Sequence, residues 1–499
     1  MGGNLREFYK NAYLYNRLPY AHSFTPSGKA AGAIYTFSSM RDVIPILHGS
    51  AGCGYHYRYL CRMNGTSACD LHCTNLNEYD IAMGGEEKLR ATILDVALRL
   101  KPVLIAVIPT TPIEMIGADV ERILAELRPT VPCHLIFVSS EGISHADKRH
   151  IGNDAFIRPQ ERCGDTRHFD ESLRGCGFSD AMKAMVTQVM KSQETQINAV
   201  NLCGLFWEGG GQALLGGVIK ELIAMGIEIN SILPGGKIED IENAPKAVLN
   251  IMTRRINWAV KMKEVFGTDY FRIDQDRYAY EGLDGIEHLY LDIAERLRLS
   301  HKAASYLRAK RHKTERILSE AGAAMDGHSC VLCVDDYRNI SKFLRFYRDV
   351  LKFNIEHVLI KVRAKGYTSI YAMEKLVNFA DSYMNAAVKE AGHSIKWLVN
   401  PNKEQSASIL KQTEYIVGSD CFVSGETKYK YISPPCFIPL DFDNFGHFLL
   451  DYVNQIKRLP LRRLSENSIQ NATEDCADTI RWNAISSLMF WDKMWIQRS

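Results

Sequence analysis

The sequence predicts an α/β protein built from parallel β-sheets flanked by helices, and three observations carry that prediction. Short Val/Ile/Leu-rich runs alternate with longer helical patterns almost throughout the chain, the pattern of stacked βαβ units. Several of these runs are continuously apolar, as strands covered on both faces must be. At 499 residues the chain also exceeds what one hydrophobic core serves, and roughly 150 residues per domain gives three to four domains.

Strands are expected at residues 103–110, 134–140, 200–206, 229–233, 330–335, 357–362, 395–399, 415–418 and 437–440. Between 200–206 and 229–233, Leu215, Ile219, Leu222 and Ile223 recur at helical spacing and Gly226 follows as a C-cap, which defines a crossover helix. Residues 142–177 break the rhythm with Gly, Pro, His and mixed charge, and read as an irregular insertion, a lid or docking loop. Helical patterning dominates 287–322, where Arg308, Lys310, Arg311, His312 and Lys313 form a basic run. That run reads as a solvated helix face rather than a nucleic-acid contact. The sequence holds no internal repeat and no low-complexity tract.

Composition narrows the function classes. Hydrophobic residues at 46% and charged residues at 24% exclude disorder, collagen and coiled coil. A net charge of +2 sets up no global field toward nucleic acid or an anionic membrane. Thirteen cysteines are few for a disulfide scaffold of this size and no signal-peptide pattern opens the sequence, so a reducing cytoplasm is expected. The apolar stretch 103–108 falls far short of the roughly 20 residues that span a bilayer.

The most informative segment, residues 48–89, reads HGSAGCGYHYRYLCRMNGTSACDLHCTNLNEYDIAMGGEEKL. It holds Cys53, Cys61, Cys69 and Cys73, with Gly52 and Gly54 leaving bare backbone on either side of Cys53 for a bulky group to approach. Iron-sulfur clusters need such thiolates and such backbone. The spacings of eight, eight and four match neither the common ferredoxin nor the zinc-finger patterns, which leaves buried or spare thiols as the alternative. His48, His56 and His72 flank the cysteines, as ligands, proton donors or hydrogen-bonded structural residues. Cys330 and Cys333 form C-x-x-C inside an apolar run, where strand alternation points them to opposite faces. Gly209, Gly210 and Gly211 lie at a strand-to-helix turn without the full G-x-G-x-x-G spacing, so tight packing explains them better than a nucleotide.

HGSAGCG at 48–54 followed by TNLNEYDIAMGGEEKL at 74–89 resembles the nitrogenase component 1 family. TPIEMIGADV at 111–120, FWEGGGQALLGG at 206–217 and LPGGKIEDIENAPKAVLNIM at 233–252 extend the resemblance in the same order. It implies three Rossmann-like domains, taken here as 1–195, 196–325 and 326–460, with a helical tail over 461–499. It also implies a homologous α-type partner in a heterotetramer, this chain being the β-type subunit, and electrons from a separate ATP-hydrolysing iron protein. The family's cysteine after HG-x-x-G, which ligates an iron-sulfur cluster at the subunit interface, falls on Cys53. The cluster implied is a [4Fe-4S] or P-cluster-like [8Fe-7S] group, with a larger iron-sulfur cofactor in the partner.

The departures from the family pattern are as informative. Where other cluster cysteines belong, this chain has Gly28 and Thr111, so one of three expected ligands remains. Either the partner supplies most ligands, or Cys61, Cys69 or Cys73 take over, or the cluster is smaller or absent. An Asp oxygen is a further possible ligand. If a helix joins Cys53 to Cys61, the two point within roughly 80° of each other. After APKAVLN the chain reads Ile251, Met252, Thr253, Arg254, Arg255, with no cysteine where the family's cofactor thiolate belongs. Cys436 and His447 in PPCFIPLDFDNFGH match the other cofactor position only loosely. No catalytic residue is assigned. The resemblance implies reduction of carbon-sulfur bonds, as in methylthio-alkane reductases, or of tetrapyrrole double bonds, ahead of dinitrogen. The rival functions are a cofactor-assembly scaffold and a structural subunit that has lost its metal.

Overall fold

The computed structural model describes residues 29–63, 71–139, 169–203, 211–252, 257–334, 339–361, 378, 381–385, 395–418, 428–435, 438–459 and 462–463. Contacts group the chain into two compact units, residues 1–274 with 292–303, and residues 275–291 with 304–499.

The first unit holds two parallel sheets. In one, β1 (Val43–His48), β2 (His72–Cys73), β3 (Leu104–Pro109) and β4 (His134–Phe137) run in the order β2-β1-β3-β4. Every residue of β1 and β3 is buried, because helices cover both faces. Alternate side chains serve opposite cores, as a two-residue period dictates. Val43, Leu47, Leu104, Ala106 and Ile108 pack with α1 (Lys29–Ser38) residues such as Ile34 and Phe37. Ile44, Ile46, Ile105 and Val107 face the other core. The helices that follow are α2 (Ala51–Met63), α3 (Glu78–Ala82), α4 (Glu86–Leu100), α5 (Thr111–Met115), α6 (Val120–Leu127) and α7 (Phe169–Gln188). Leu89, Ile93 and Val96 of α4 and Ile123 and Leu124 of α6 complete that second core, while Phe178, Ala181, Met182 and Met185 of α7 join α1 in the first.

Helix α7 corrects one expectation. The irregular insertion expected over 142–177 is helical from Phe169 onward, and 142–168 lie outside the described residues. The glycine that suggested a loop has a packing reason: a Cβ on Gly177 would stand 1.8 Å from the Lys29 carbonyl oxygen, so only glycine lets the two helices approach this closely. A Lys29–Asp180 ion pair at 3.0 Å joins them at the same place.

In the second sheet, β5 (Gln196–Cys203), β6 (Glu228–Leu233), β7 (Ala247–Met252) and β8 (Asp269–Arg272) run parallel in the order β6-β5-β7-β8. The crossover from β5 to β6 is α8 (Gly211–Ala224), and Gly226 beyond it takes φ +84, the left-handed value that ends a helix. Leu222 is buried as expected, whereas Ile223 is 57% exposed, so the apolar stripe runs through Val218 and Leu222 instead. Two helices close this sheet, α9 (Ile238–Glu242) and α10 (Asn257–Phe266).

The second unit is built on β9 (Ser329–Val334), β10 (Asn354–Ile360), β11 (Lys396–Val399), β12 (Tyr415–Gly418), β13 (Lys428–Ile432) and β14 (Arg462–Arg463). Their order is β11-β10-β9-β12-β13-β14, parallel except for the antiparallel β13-β14 pair. The strand expected at 437–440 is not one: Phe437 lies outside the described residues, and Ile438–Leu440 is irregular. Pro439 cannot donate to a ladder, the Leu440 carbonyl accepts a 2.7 Å hydrogen bond from the Tyr290 hydroxyl, and Asp441 caps the helix Phe442–Lys457 by accepting from the Asn444 amide. In the basic run, Arg311 is held by Asp284, Glu287 and Glu315, and Lys310 by Asp443. No helix among the described residues is long and apolar enough to cross a membrane.

Candidate functional site

Parallel α/β sheets place their ligand sites at the carboxyl ends of the strands, and the described residues around His48–Ser50 and Cys73–Leu76 lie at that edge of the first sheet. Strand β1 ends at His48 and turns through Gly49 and Ser50 into α2. Two threonines just past the neighbouring strands clasp the turn. Thr110 donates to the His48 carbonyl from its backbone N–H at 2.9 Å and from its hydroxyl at 3.2 Å. The Thr74 hydroxyl oxygen accepts from the Gly49 amide at 3.0 Å and lies 3.1 Å from His48 Nδ1. The His48 imidazole is fully buried, and desolvation lowers its pKa to about 4, which keeps it neutral near pH 7. Its Nε2 has no hydrogen-bond partner among the described residues.

Cys53 stands on the first turn of α2, half-buried, with the Ser50 hydroxyl donating to its sulfur at 3.4 Å. The two glycines beside it do different things. Among the described residues a Cβ on exposed Gly52 would meet nothing nearer than Ser50 Oγ at 3.9 Å, so they leave the ground beside the thiol open. A Cβ on buried Gly54 would lie 2.8 Å from Cys73 Cβ and 2.9 Å from its sulfur. Tyr57, one turn beyond Cys53, is pushed up to about 12 by burial and then by the Cys53 charge.

Cys73 is the last residue of β2, in register with Leu47 of β1, and is buried. Its thiol donates to the carbonyls of Ser50 at 3.3 Å and Gly49 at 3.5 Å. Burial raises its pKa; the Asn75 amide and the Arg58 charge oppose that, the Cys53 charge adds to it, and the Gly54 amide opposes it. Arg58 is fixed by a 2.9 Å bond from its Nε to the Leu71 carbonyl.

The remaining expected residues are spread more widely. Cys61 is on the last turn of α2, eight residues from Cys53, or about 12 Å along the axis. Cys69 and Gly28 lie outside the described residues. Thr111 opens α5 on the same sheet edge. His56 is exposed and packs edge-on against Tyr57 with ring centroids 5.9 Å apart, and His72 begins β2. Cys330 and Cys333 are buried in β9, and neither forms a disulfide. Ile251 and Met252 are buried at the end of β7, with Thr253, Arg254 and Arg255 outside the described residues, as are Gly209, Gly210 and Cys436. Gly211 begins α8, and His447 is exposed. Sequence reasoning did not single out Ser50, Arg58, Thr74 or Thr110; the one available signal was hydroxyl residues directly beyond strand ends.

An iron-sulfur cluster fits this turn as a shared group. The open face at Gly52 and the accessible thiol of Cys53 suit a bulky metal group, and the Ser50 hydroxyl supplies a hydrogen bond to sulfur. Among the described residues no three His, Cys, Asp or Glu side chains converge as a metal site, so these residues offer fewer than the four ligands of a cubane.

Fold and site together define a multi-sheet α/β protein with a cysteine-bearing turn at a strand-to-helix edge. The profile of the family described as Nitrogenase component 1 type Oxidoreductase matches residues 29–157 and 165–414, well over half of the chain, and the chain belongs to that family. It is 27% identical over 279 residues to the nitrogenase molybdenum-iron protein alpha chain of Methanosarcina barkeri, covering 52% of this chain and 45% of that one. It is 25% identical over 303 residues to the nitrogenase iron-molybdenum cofactor biosynthesis protein NifE of a Nostoc strain, covering 59% and 55%. Over a shorter 113 residues it is 34% identical to the corresponding NifN of Bradyrhizobium diazoefficiens, covering 22% and 24%. The chain spans about half the length of the curated relatives it matches. The solved structure of nitrogenase Cp1 at pH 6.5 shares the fold, with a TM-score of 0.51 at 16% identity over 87% of this chain and 90% of that one.

Proposed function

We propose that this chain is the β-type subunit of a nitrogenase-like reductase complex, in which Cys53 helps hold an iron-sulfur cluster at the interface with a homologous α-type subunit. The observation that carries the proposal is the geometry of Cys53: an accessible thiol on the first turn of α2, beside the open face of Gly52, in a chain of the nitrogenase component 1 type. When bound, the cluster supplies single-electron transfer at low potential. The chain's own residues prepare that place. Thr74, Thr110 and neutral His48 fix the turn, and Ser50 donates a hydrogen bond to the ligating sulfur, which tunes its charge. Half-buried Tyr57 and buried Leu76 cover one side of the turn.

In this proposal electrons arrive from an ATP-hydrolysing iron protein and leave to a reduction site in the α-type partner, since residues 251–255 lack a cofactor thiolate. Carbon-sulfur compounds or tetrapyrroles are favoured as substrates over dinitrogen. The domains proposed at 1–195, 196–325 and 326–460 hold one sheet each, except that β14 (Arg462–Arg463) joins the third sheet from beyond residue 460. The test is turnover of the co-purified complex with an iron protein and ATP: Cys53→Ala is expected to lower both bound iron and reduction rate at least tenfold. Full retention of both would remove Cys53 as a ligand.

A second function, cofactor assembly, is favoured by one observation: the chain is as similar to NifE, named for cofactor biosynthesis, as to a molybdenum-iron protein alpha chain. It would bind cluster and show no turnover with an iron protein, which separates the two.

A further inference from the structure

We infer that residues 1–28 fold back over the carboxyl edge of the first sheet and dock on the apolar face that α3 and α5 present there. The docking goes beyond the function proposed above and needs no metal.

Three neighbouring strands, β2, β1 and β3, hand over at this edge to α3, α2 and α5, and each of those segments leaves large apolar side chains exposed. On α3 and just beyond it Tyr79 is 71% exposed and Met83 67%; at the end of α5 Met115 is 73% exposed and Ile116 47%. Tyr55 on α2, between them, is 57% exposed. Elsewhere methionine packs in cores, as at Met182, Met185, Met252 and Met262. Apolar side chains gathered on one edge mark a surface that another segment covers, and aromatic residues and methionine are enriched on such surfaces.

The covering segment is identified by where it is anchored and by what it carries. Helix α1 is joined to the amino end of β1 by four residues and packs back along β1 and β3, so its first residue, Lys29, lies toward the carboxyl edge. The Lys29 carbonyl sits against Gly177 and its ammonium pairs with Asp180 at 3.0 Å, which fixes the anchor. Residues 1–28 hold six aromatic side chains, Phe8, Tyr9, Tyr13, Tyr15, Tyr20 and Phe24, about twice the 10% aromatic share of the whole chain. Phe24 is five residues from Lys29. At about 3.3 Å per residue even Phe24 can cross neighbouring strands spaced about 4.8 Å apart.

Charge fits as well. Glu78, Glu87 and Glu121, in the first turns of α3, α4 and α6, are exposed and have no ionic partner among the described residues. Residues 1–28 carry Arg6, Lys10 and Arg17 against Glu7 alone. A tethered segment meets its face at an effective concentration of about a millimolar, so weak contacts suffice to hold it. A partner subunit arriving at Cys53 would then meet residues 1–28 as part of this face, a consequence that rests on the role proposed for Cys53.

Hydrogen exchange read by mass spectrometry on the full chain, alone and with its partner, tests the docking. Residues 1–28 are expected to exchange about tenfold or more slowly than the same sequence as a free peptide, at every protein concentration. Met83→Asp combined with Met115→Asp should return them to the peptide rate while β3 and α4 keep their protection. Glu87→Lys combined with Glu121→Lys is the milder variant, expected to remove part of the protection, and it decides the outcome if the first unfolds. Carbodiimide coupling should join Lys10 to Glu78, Glu87 or Glu121. Peptide-like exchange of residues 1–28 in the wild type, or protection that both double variants leave unchanged, would overturn the inference. So would protection that rises with protein concentration, the sign of a second copy, or that appears only with the partner subunit. Iron enters none of these readouts, so failure of the cluster role proposed for Cys53 leaves the docking standing.

Discussion

Gly52 and Gly54 flank the same cysteine and look equivalent in sequence, yet the structure gives them opposite roles. Gly54 is glycine because Cys73 occupies the space of its side chain, whereas Gly52 faces open ground. Gly54→Ala is therefore expected to destabilise the metal-free chain by about 1–3 kcal/mol through overpacking. Gly52→Ala should leave it within about 1 kcal/mol of wild type, the small change reflecting helix propensity. Denaturant midpoints of the metal-free chain check this, and equal tolerance at both positions would contradict the packing assigned to Cys73. The Gly-Cys-Gly pattern was legible in the sequence, and so was the choice of Cys53. What sequence spacing did not supply was the partner of Gly54, because Cys73 arrives nineteen residues later, on strand β2.

At the scale of elements, the second sheet depends on a buried amide network. The Asn201 side-chain NH2 donates to the Ala244 carbonyl at 2.9 Å and to Asn250 Oδ1 at 2.8 Å, while Asn230 donates to Asn201 Oδ1 at 2.8 Å. Asn201→Ala strands buried polar groups on β7 and on the turn before it, at a cost of about 2–3 kcal/mol. A urea midpoint that falls by that amount with unchanged m-value is the expected outcome; a neutral substitution would show that water replaces the amide. The same network explains which strands the sequence concealed. Asn250 interrupts the apolar run of β7, and its partner is non-local, so β7 was quoted as a motif but not expected as a strand. β1 carries Pro45, which argues locally against a central strand; it is tolerated where β2 pairs only with Ile46 and Leu47. β8 and β13 are short and carry charged residues, whereas continuously apolar β3, β9 and β12 were expected within a residue or two of their observed ends.

At the scale of the whole molecule, the alternation of strand and helix predicted parallel sheets, and the described residues contain three of them. The family relationship was legible from two linked motifs at 48–54 and 74–89, and the family profile covers both. The ligand set was less legible, because the cysteines of 48–89 match no common ligand spacing and the family's other cluster positions hold Gly28 and Thr111. The central claim is that this chain, through Cys53, holds part of a redox-active iron-sulfur cluster. The most direct test measures iron and sulfide per subunit pair in the anaerobically co-purified complex, with low-temperature paramagnetic resonance before and after dithionite. About four irons or more, the content of one cubane, with a signal that dithionite alters is the expected result. A complex that stays iron-free after anaerobic preparation and attempted cluster reconstitution would contradict the claim.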